Sequence, residues 1–348
     1  MSFTRQKKER IINYILEQVE KDAENMITKT ASTMDVSHTT VRRYLKELLE
    51  HKVVTGSNRK CLYELVSAEK NFTYNNSAHL EEHAIYFRDI LPLLKGLPDN
   101  VEKIWAYSFM EMMNNAIEHS GSAYITCRFI RNALNTKIII MDKGVGIFHK
   151  IQAYILAEQG IEVTVRDAAV ELFKGKLTTA KEGHSGEGIF FTSRIMDTFV
   201  IMSDETLFTH DNIEDALHDL SKIDIEISKR EGTFVLLGML NSSHKEAKEV
   251  FDMFSSSDDG FVKTQIPIKQ ICEYGYPIAR SQARRLYSRF DKFKEVVLDF
   301  ADVEDLGQAF AHEIYVVYVK AHPSVIIHTI HANAKVSSMI NHVKKTNI

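Results

Sequence analysis

The chain holds 348 residues, 44% hydrophobic and 26% charged, with a formal net charge of −4. That length leaves room for two or three domains, and the balance is that of an ordinary soluble globular protein, neither fibrous nor disordered. No apolar run nears the ~20 residues a bilayer-spanning helix needs and no signal-like core opens the chain, so a cytoplasmic protein without a membrane partner is expected.

Residues 1–70 carry 13 Lys/Arg against 10 Asp/Glu, a mild basic excess in an otherwise acidic chain. Ile11, Ile12, Ile15, Leu16 and Val19 recur at helical spacing and predict a first helix. A second, short helix is expected near Met26 to Met34, then a tight turn at Asp35-Val36 and an N-cap at Ser37. The third helix buries Val41, Tyr44, Leu45, Leu48 and Leu49 and sets Thr39, Arg42, Arg43 and Lys46 on the opposite face. Two strands follow, Val53-Val54 and Leu62 to Leu65, joined by a loop that carries Arg59 and Lys60.

This arrangement resembles a winged helix-turn-helix of the bacterial repressor type. The resemblance implies double-stranded DNA as a partner, with Thr39, Arg42, Arg43 and Lys46 at the major groove and Arg59 and Lys60 on the phosphate backbone. A protein-docking or dimerisation head with a solvated basic face is the plainer alternative. Two half-sites would call for a homodimer.

In the middle of the chain, Ile104 to Glu118 has helical period. Glu111, Asn114, Asn115 and Glu118 recur at i, i+3, i+4 and i+7 and form one polar stripe. An amide oxygen such as that of Asn115 suits one position on Mg²⁺ beside phosphate oxygens, and Glu111 can accept a proton from an attacking water or hydroxyl. The apolar strand Lys137 to Met141 ends at Asp142, whose carboxylate can accept a hydrogen bond from an exocyclic amine. Gly144, Gly146 and Ile147 follow, and glycines there permit close approach of the backbone to a flat ring. After some three dozen residues with Lys174, Lys176 and Lys181, expected to form a mobile lid, comes Ser185-Gly186-Glu187-Gly188 before a helix from Phe190. Gly232-Thr233 opens a strand from Phe234 to Leu240.

Residues from about 80 to 240 thus resemble the GHKL (Bergerat-fold) ATPase domain, closest to the branch of anti-sigma serine kinases and histidine kinases. Glu111 and Asn115 match its N box, Asp142, Gly144 and Gly146 its G1 box, Gly186 and Gly188 its G2 box, and Gly232 and Thr233 its last box. The resemblance implies an α/β sandwich with a mixed sheet and ATP with Mg²⁺ as cofactors. It makes Glu111 the general base and Asn115 the metal ligand, with Ile147, Ser185, Glu187 and Thr233 also contacting nucleotide. The chain departs from the pattern at His184, where a further glycine often stands.

Beyond the polar stretch Ser255 to Gly260, strand and helix signals alternate: Phe261 to Ile268, Ala279 to Phe290, Glu295 to Phe300, Gln308 to Lys320, Val325 to Ile330 and Val336 to Lys345. This resembles a STAS-like domain, which implies a protein partner. Its phosphorylatable members carry a serine after the central strand, whereas the turn here reads Asp305-Leu306-Gly307-Gln308. Arg280, Arg284, Arg285 and Arg289 are expected on a solvated helix face, with a docking face as the alternative, and His328 and His331 are poorly placed to share a ligand. Cys61, Cys127 and Cys272 have neither metal nor disulfide spacing.

The fold class expected is multidomain α+β: a winged helix over 1–70, a Bergerat domain over 78–242 and a STAS-like domain over 260–348. The function expected is an ATP-binding, DNA-binding regulator. A protein serine kinase acting on a separate partner and an ATP-gated interaction clamp are the alternatives.

Overall fold

A computed structural model of the chain describes residues 4–21, 24–57, 62–76, 79–177, 186–210, 213–221, 223, 231–256, 258–272 and 276–345. Helices α1 (Arg5–Glu20), α2 (Met26–Met34) and α3 (His38–Glu50) precede the antiparallel hairpin β1 (Val54–Ser57) and β2 (Leu62–Leu65). Ser37 caps α3 as its sequence demands, its side chain accepting from Thr40 N at 3.2 Å. Ile11, Ile15, Val41, Tyr44 and Leu45 close a separate core under these helices. Leu134, at the tip of a later hairpin, joins that core and docks this head on the next layer.

The central layer comprises β3 (Ala68–Asn75), α4 (Glu82–Ile85), a π-helical stretch over Tyr86–Ile90, α5 (Leu91–Leu94), α6 (Asp99–His119), β4 (Tyr124–Arg131), β5 (Asn135–Asp142), α7 (Ile147–Gln159) and α8 (Val165–Lys174). It continues with α9 (Gly188–Ile195), β6 (Thr198–Ser203), β7 (Thr206–Thr209), α10 (Ile213–Ser221) and β8 (Phe234–Leu240). Six strands form one sheet in the order β3-β4-β5-β8-β6-β7. Every neighbouring pair is antiparallel, so the mixed sheet expected from the sequence is not what forms. The edge strand β3 also straddles residue 70, so the sheet begins inside the segment assigned to the head.

Alternation along β5 decides which face each residue serves. Ile138 and Ile140 join Trp105, Phe109 and Met113 in the larger core, while Ile139 faces α10 with Leu236 and Leu220. That larger core does not stop at the central layer. Phe190 of α9 lies 4.5 Å, centroid to centroid, from Phe261 in the C-terminal part and 5.1 Å from Phe254.

The C-terminal part opens with α11 (Ala247–Phe254), the two-residue strands β9 (Ser255–Ser256) and β10 (Gly260–Phe261), β11 (Lys263–Pro267), α12 (Ile268–Ile271) and α13 (Arg280–Tyr287). Then come β12 (Glu295–Asp299), α14 (Gln308–His312), a π-helical stretch over Glu313–Tyr318, α15 (Val319–Ala321), β13 (Ile326–Ile330) and α16 (Ala334–Lys345). β11, β12 and β13 make a parallel sheet, each joined to the next through helix, as parallel neighbours require. Among the described residues no helix is long and apolar enough to cross a membrane.

Candidate functional site

The polar stripe of α6 forms one wall of a cavity of about 240 Å³, with Glu111, Asn114 and Asn115 on it. Asp142 at the end of β5 meets them there, with Gly146 and Ile147 at the start of α7, Gly186, Glu187 and Gly188 at the start of α9, and Thr233 before β8. Residues separated by more than 100 positions in the chain therefore share one concave space. Ser185 lies outside the described residues.

Asp142 is only 8% exposed. Its Oδ1 accepts from Gly144 N at 2.8 Å and from Thr233 N at 3.3 Å. Burial pushes its carboxyl above the ordinary 3.8, opposed by those two amides and by the nearby charge of Lys150. The Thr233 hydroxyl in turn accepts from Ile147 N at 3.0 Å, and the Ser203 hydroxyl donates to Gly232 O at 2.8 Å. The turn after β5, the start of α7 and the start of β8 are thus stitched into one unit around a single carboxylate.

Gly144 does not line the cavity. It lets the turn pass over the end of α6: a Cβ there would sit 1.9 Å from Ser120 O, and Val145 N donates to that same oxygen at 3.1 Å. Gly188 does the comparable job for α9. A Cβ at Gly188 would fall 2.0 Å from Glu111 Oε2, so glycine lets this helix start lie against the α6 carboxylate without displacing it. Gly186 has φ +67° and packs on the backbone of Leu177.

An anionic ligand whose phosphates meet a helix start and whose amine meets Asp142 fits these groups. Among the described residues no cluster of three His, Cys, Asp or Glu side chains could hold a metal by itself. The donor set instead suits a cation that arrives with phosphate oxygens and takes one protein oxygen, that of Asn115.

Sequence reasoning missed several lining residues. Lys150, one turn into α7 and four residues after Gly146, places a cation near Asp142, and that spacing was readable. Ile201 and Val235 on the sheet and Leu172 of α8 supply apolar wall, which alternation alone does not distinguish from core.

The expected lid proves different in kind. Most of the stretch between the Gly146 turn and Gly186 is the two helices α7 and α8; residues 178–185, which include Lys181, lie outside the described residues. Lys174 is fully buried beside Glu171, and Lys176 donates to Lys292 O at 2.9 Å, so both point at the C-terminal part instead of the cavity.

On α3, Thr39, Arg42, Arg43 and Lys46 are all exposed. Their charge is partly offset: Arg43 lies 4.0 Å from Glu47 and covers the Tyr44 ring, and Lys46 lies 3.6 Å from Glu50. Arg59 and Lys60 lie outside the described residues.

In the C-terminal part, His328 pairs with Glu295 and His331 with Asp299, so the two histidines share no ligand. Arg280, Arg284 and Arg285 of α13 are exposed, as a solvated face requires, whereas the side chain of Arg289, past the helix end, is only 8% exposed. Arg284 binds Glu313, Arg285 approaches Asp167 of α8, and Arg289 binds Glu171 of α8. No curated protein matches the chain. Residues 282–337 do match the family model of a STAS-like domain of unknown function (DUF4325), and this part of the chain is STAS-like.

Proposed function

We propose that the protein is a nucleotide-dependent regulator: the cavity binds ATP with Mg²⁺, and the N-terminal head binds double-stranded DNA. The observation that carries the first half is the convergence of a doubly amide-bonded carboxylate, Asp142, with the Glu111–Asn115 stripe and two glycine turns on one cavity. Asp142 would accept the exocyclic amine of adenine. The backbone at Gly186 and Gly188 would meet phosphate oxygens, and Asn115 would take one place on the metal. Glu111 stands where it can accept a proton from a water or hydroxyl that attacks the terminal phosphate.

The second half is supported by the exposed Thr39, Arg42, Arg43 and Lys46 on a capped helix, next to a β-hairpin. Helix-start contacts that differ between nucleotide-bound and free protein would shift the arrangement of the parts by their difference in free energy. A cytoplasmic homodimer is the assembly this reading favours, with the STAS-like part as the site of protein contact.

Calorimetry with Mg-ATP and occupancy mapping on genomic DNA test the two halves separately. Heat on titration together with DNA occupancy that changes in Asp142→Ala is the expected result. No heat from well-folded protein would remove the nucleotide reading and leave only the head. Phosphate recovered covalently on a second protein instead of free would make the activity a kinase.

A further inference from the structure

The segment entering the nucleotide side of the molecule is held by the STAS-like part. Arg289, 8% exposed at its side chain, donates from Nη1 to Glu171 Oε2 at 2.8 Å. Its Nη2 donates to Gly175 O at 3.0 Å and also to Lys176 O. One guanidinium therefore ties the end of α8 to the two residues that follow it. Its planar fork presents separate donors to the carboxylate and to the two carbonyls.

The reverse side is equally engaged. Lys174 Nζ donates to Arg285 O at 2.9 Å, to Ser288 O at 3.2 Å and to Ser288 Oγ at 2.9 Å. Thr264 Oγ1 donates to Lys174 O at 2.8 Å. Gly175 has φ +76° and runs against the Phe261 and Phe190 rings, where a Cβ would lie 2.8 and 2.9 Å away. The next residues in the chain already belong to the cavity, because Gly175 and Leu177 line it and Leu177 packs on Gly186. A buried ion network of this strength, desolvated and specific, is an expensive way to hold two domains together if adhesion alone were needed. It is also placed one residue from a ligand wall.

We propose that the STAS-like part anchors one wall of the nucleotide cavity, with Arg289 as the positioning residue that fixes the Gly175–Leu177 segment for ligand. This rests on the nucleotide reading above. By linkage, whatever docks on the STAS-like part and disturbs Arg289 changes nucleotide affinity, and nucleotide changes that docking by the same factor.

The test uses the full chain, titrated with Mg-ATP and Mg-ADP in wild type, Arg289→Ala and Arg289→Lys. Removing a charged hydrogen-bond donor from the anchor should weaken ATP by about tenfold or more. ADP should weaken less, because Leu177 packs on Gly186, where the phosphates would meet the α9 start, and Arg289→Lys should recover only part. A general loosening would instead lower both nucleotides alike, and that result overturns the proposal. So does equal ATP affinity in wild type and Arg289→Ala, which leaves the nucleotide reading intact. If the wild type itself binds neither nucleotide, the nucleotide reading fails and takes the anchor with it. Should Arg289→Ala not fold, hydrogen exchange on the wild type decides: slower exchange at 171–177 and 285–292 on adding a non-hydrolysable ATP analogue supports the anchor, and unchanged exchange there overturns it.

Discussion

Replacing Asp142 by Asn separates what this carboxylate does for ligand from what it does to the fold. The side chain keeps its shape, and an amide oxygen can still accept from Gly144 N and Thr233 N, so the turn around it should survive. What disappears is the charge that, on the nucleotide reading, would face an exocyclic amine. A hydrogen bond to a charged group contributes about 1.5–3 kcal/mol, so ATP affinity should fall roughly 10- to 150-fold. Stability should move the opposite way. The folded protein holds the Asp142 proton more tightly than the unfolded chain does, since burial raises this carboxyl. Its stabilising contribution is therefore complete below the unfolded pKa and is lost as pH rises through the folded value. At neutral pH the ionised group is a burden on the empty protein, and Asp142→Asn should melt higher than wild type. Calorimetry with Mg-ATP and thermal melts of the ligand-free proteins read both effects. Unchanged ATP affinity in the variant would refute the assignment of Asp142 to the base.

Three further outcomes follow from the same geometry. In wild type, ATP affinity should decline on acidification, beginning at a higher pH than an ordinary carboxylate with pKa 3.8 would give, as titrations between neutral pH and pH 4 would reveal. Gly188→Ala should push the Glu111 side chain away from the α9 start and cut phosphate release by about 10²- to 10⁴-fold, the usual share of a general base, with a smaller change in ATP affinity. Arg42→Ala with Arg43→Ala should weaken DNA binding and leave ATP affinity unchanged. The slope of log affinity against log salt should fall by about 1 for each phosphate that the variant no longer neutralises. A mobility-shift series over salt reads this, and an unaltered slope and affinity would remove α3 from the DNA surface.

Much of the local architecture was legible because it is written in short-range patterns. Ser37 announced the start of α3, the α6 stripe announced a cavity wall, and strand and helix alternation after residue 260 matched the elements that form there. What pairs over long distance was not legible. Glu171 and Arg289 are 118 positions apart, and neither periodicity nor composition says that one will neutralise the other. The α13 arginines do stay exposed, whereas Arg289, just past the helix end, is enclosed against α8. Strand direction escapes the sequence for a related reason: the alternation in β5 states which residues are buried but not how its neighbours run. Arg194 is a further case. It stands in the last turn of a short helix, yet it is partly buried, donating to Phe173 O and Gln265 O and lying 3.4 Å from the Phe190 ring centroid.

Strand β5 has the head at one end and the carboxylate at the other. Asn135 Nδ2 donates to Glu20 of α1 at 3.2 Å, Leu134 beside it is buried in the head, and Asp142 is the last residue of the same strand. Seven extended steps put those ends roughly 24 Å apart. Both flanks of β5 are hydrogen-bonded, to β4 and to β8, so the span is a braced beam with no joint along it. On the proposed function, a tilt imposed by ligand at Asp142 would reach the head as rotation of a stiff member, and DNA held by the head would pull on the same beam from the far side.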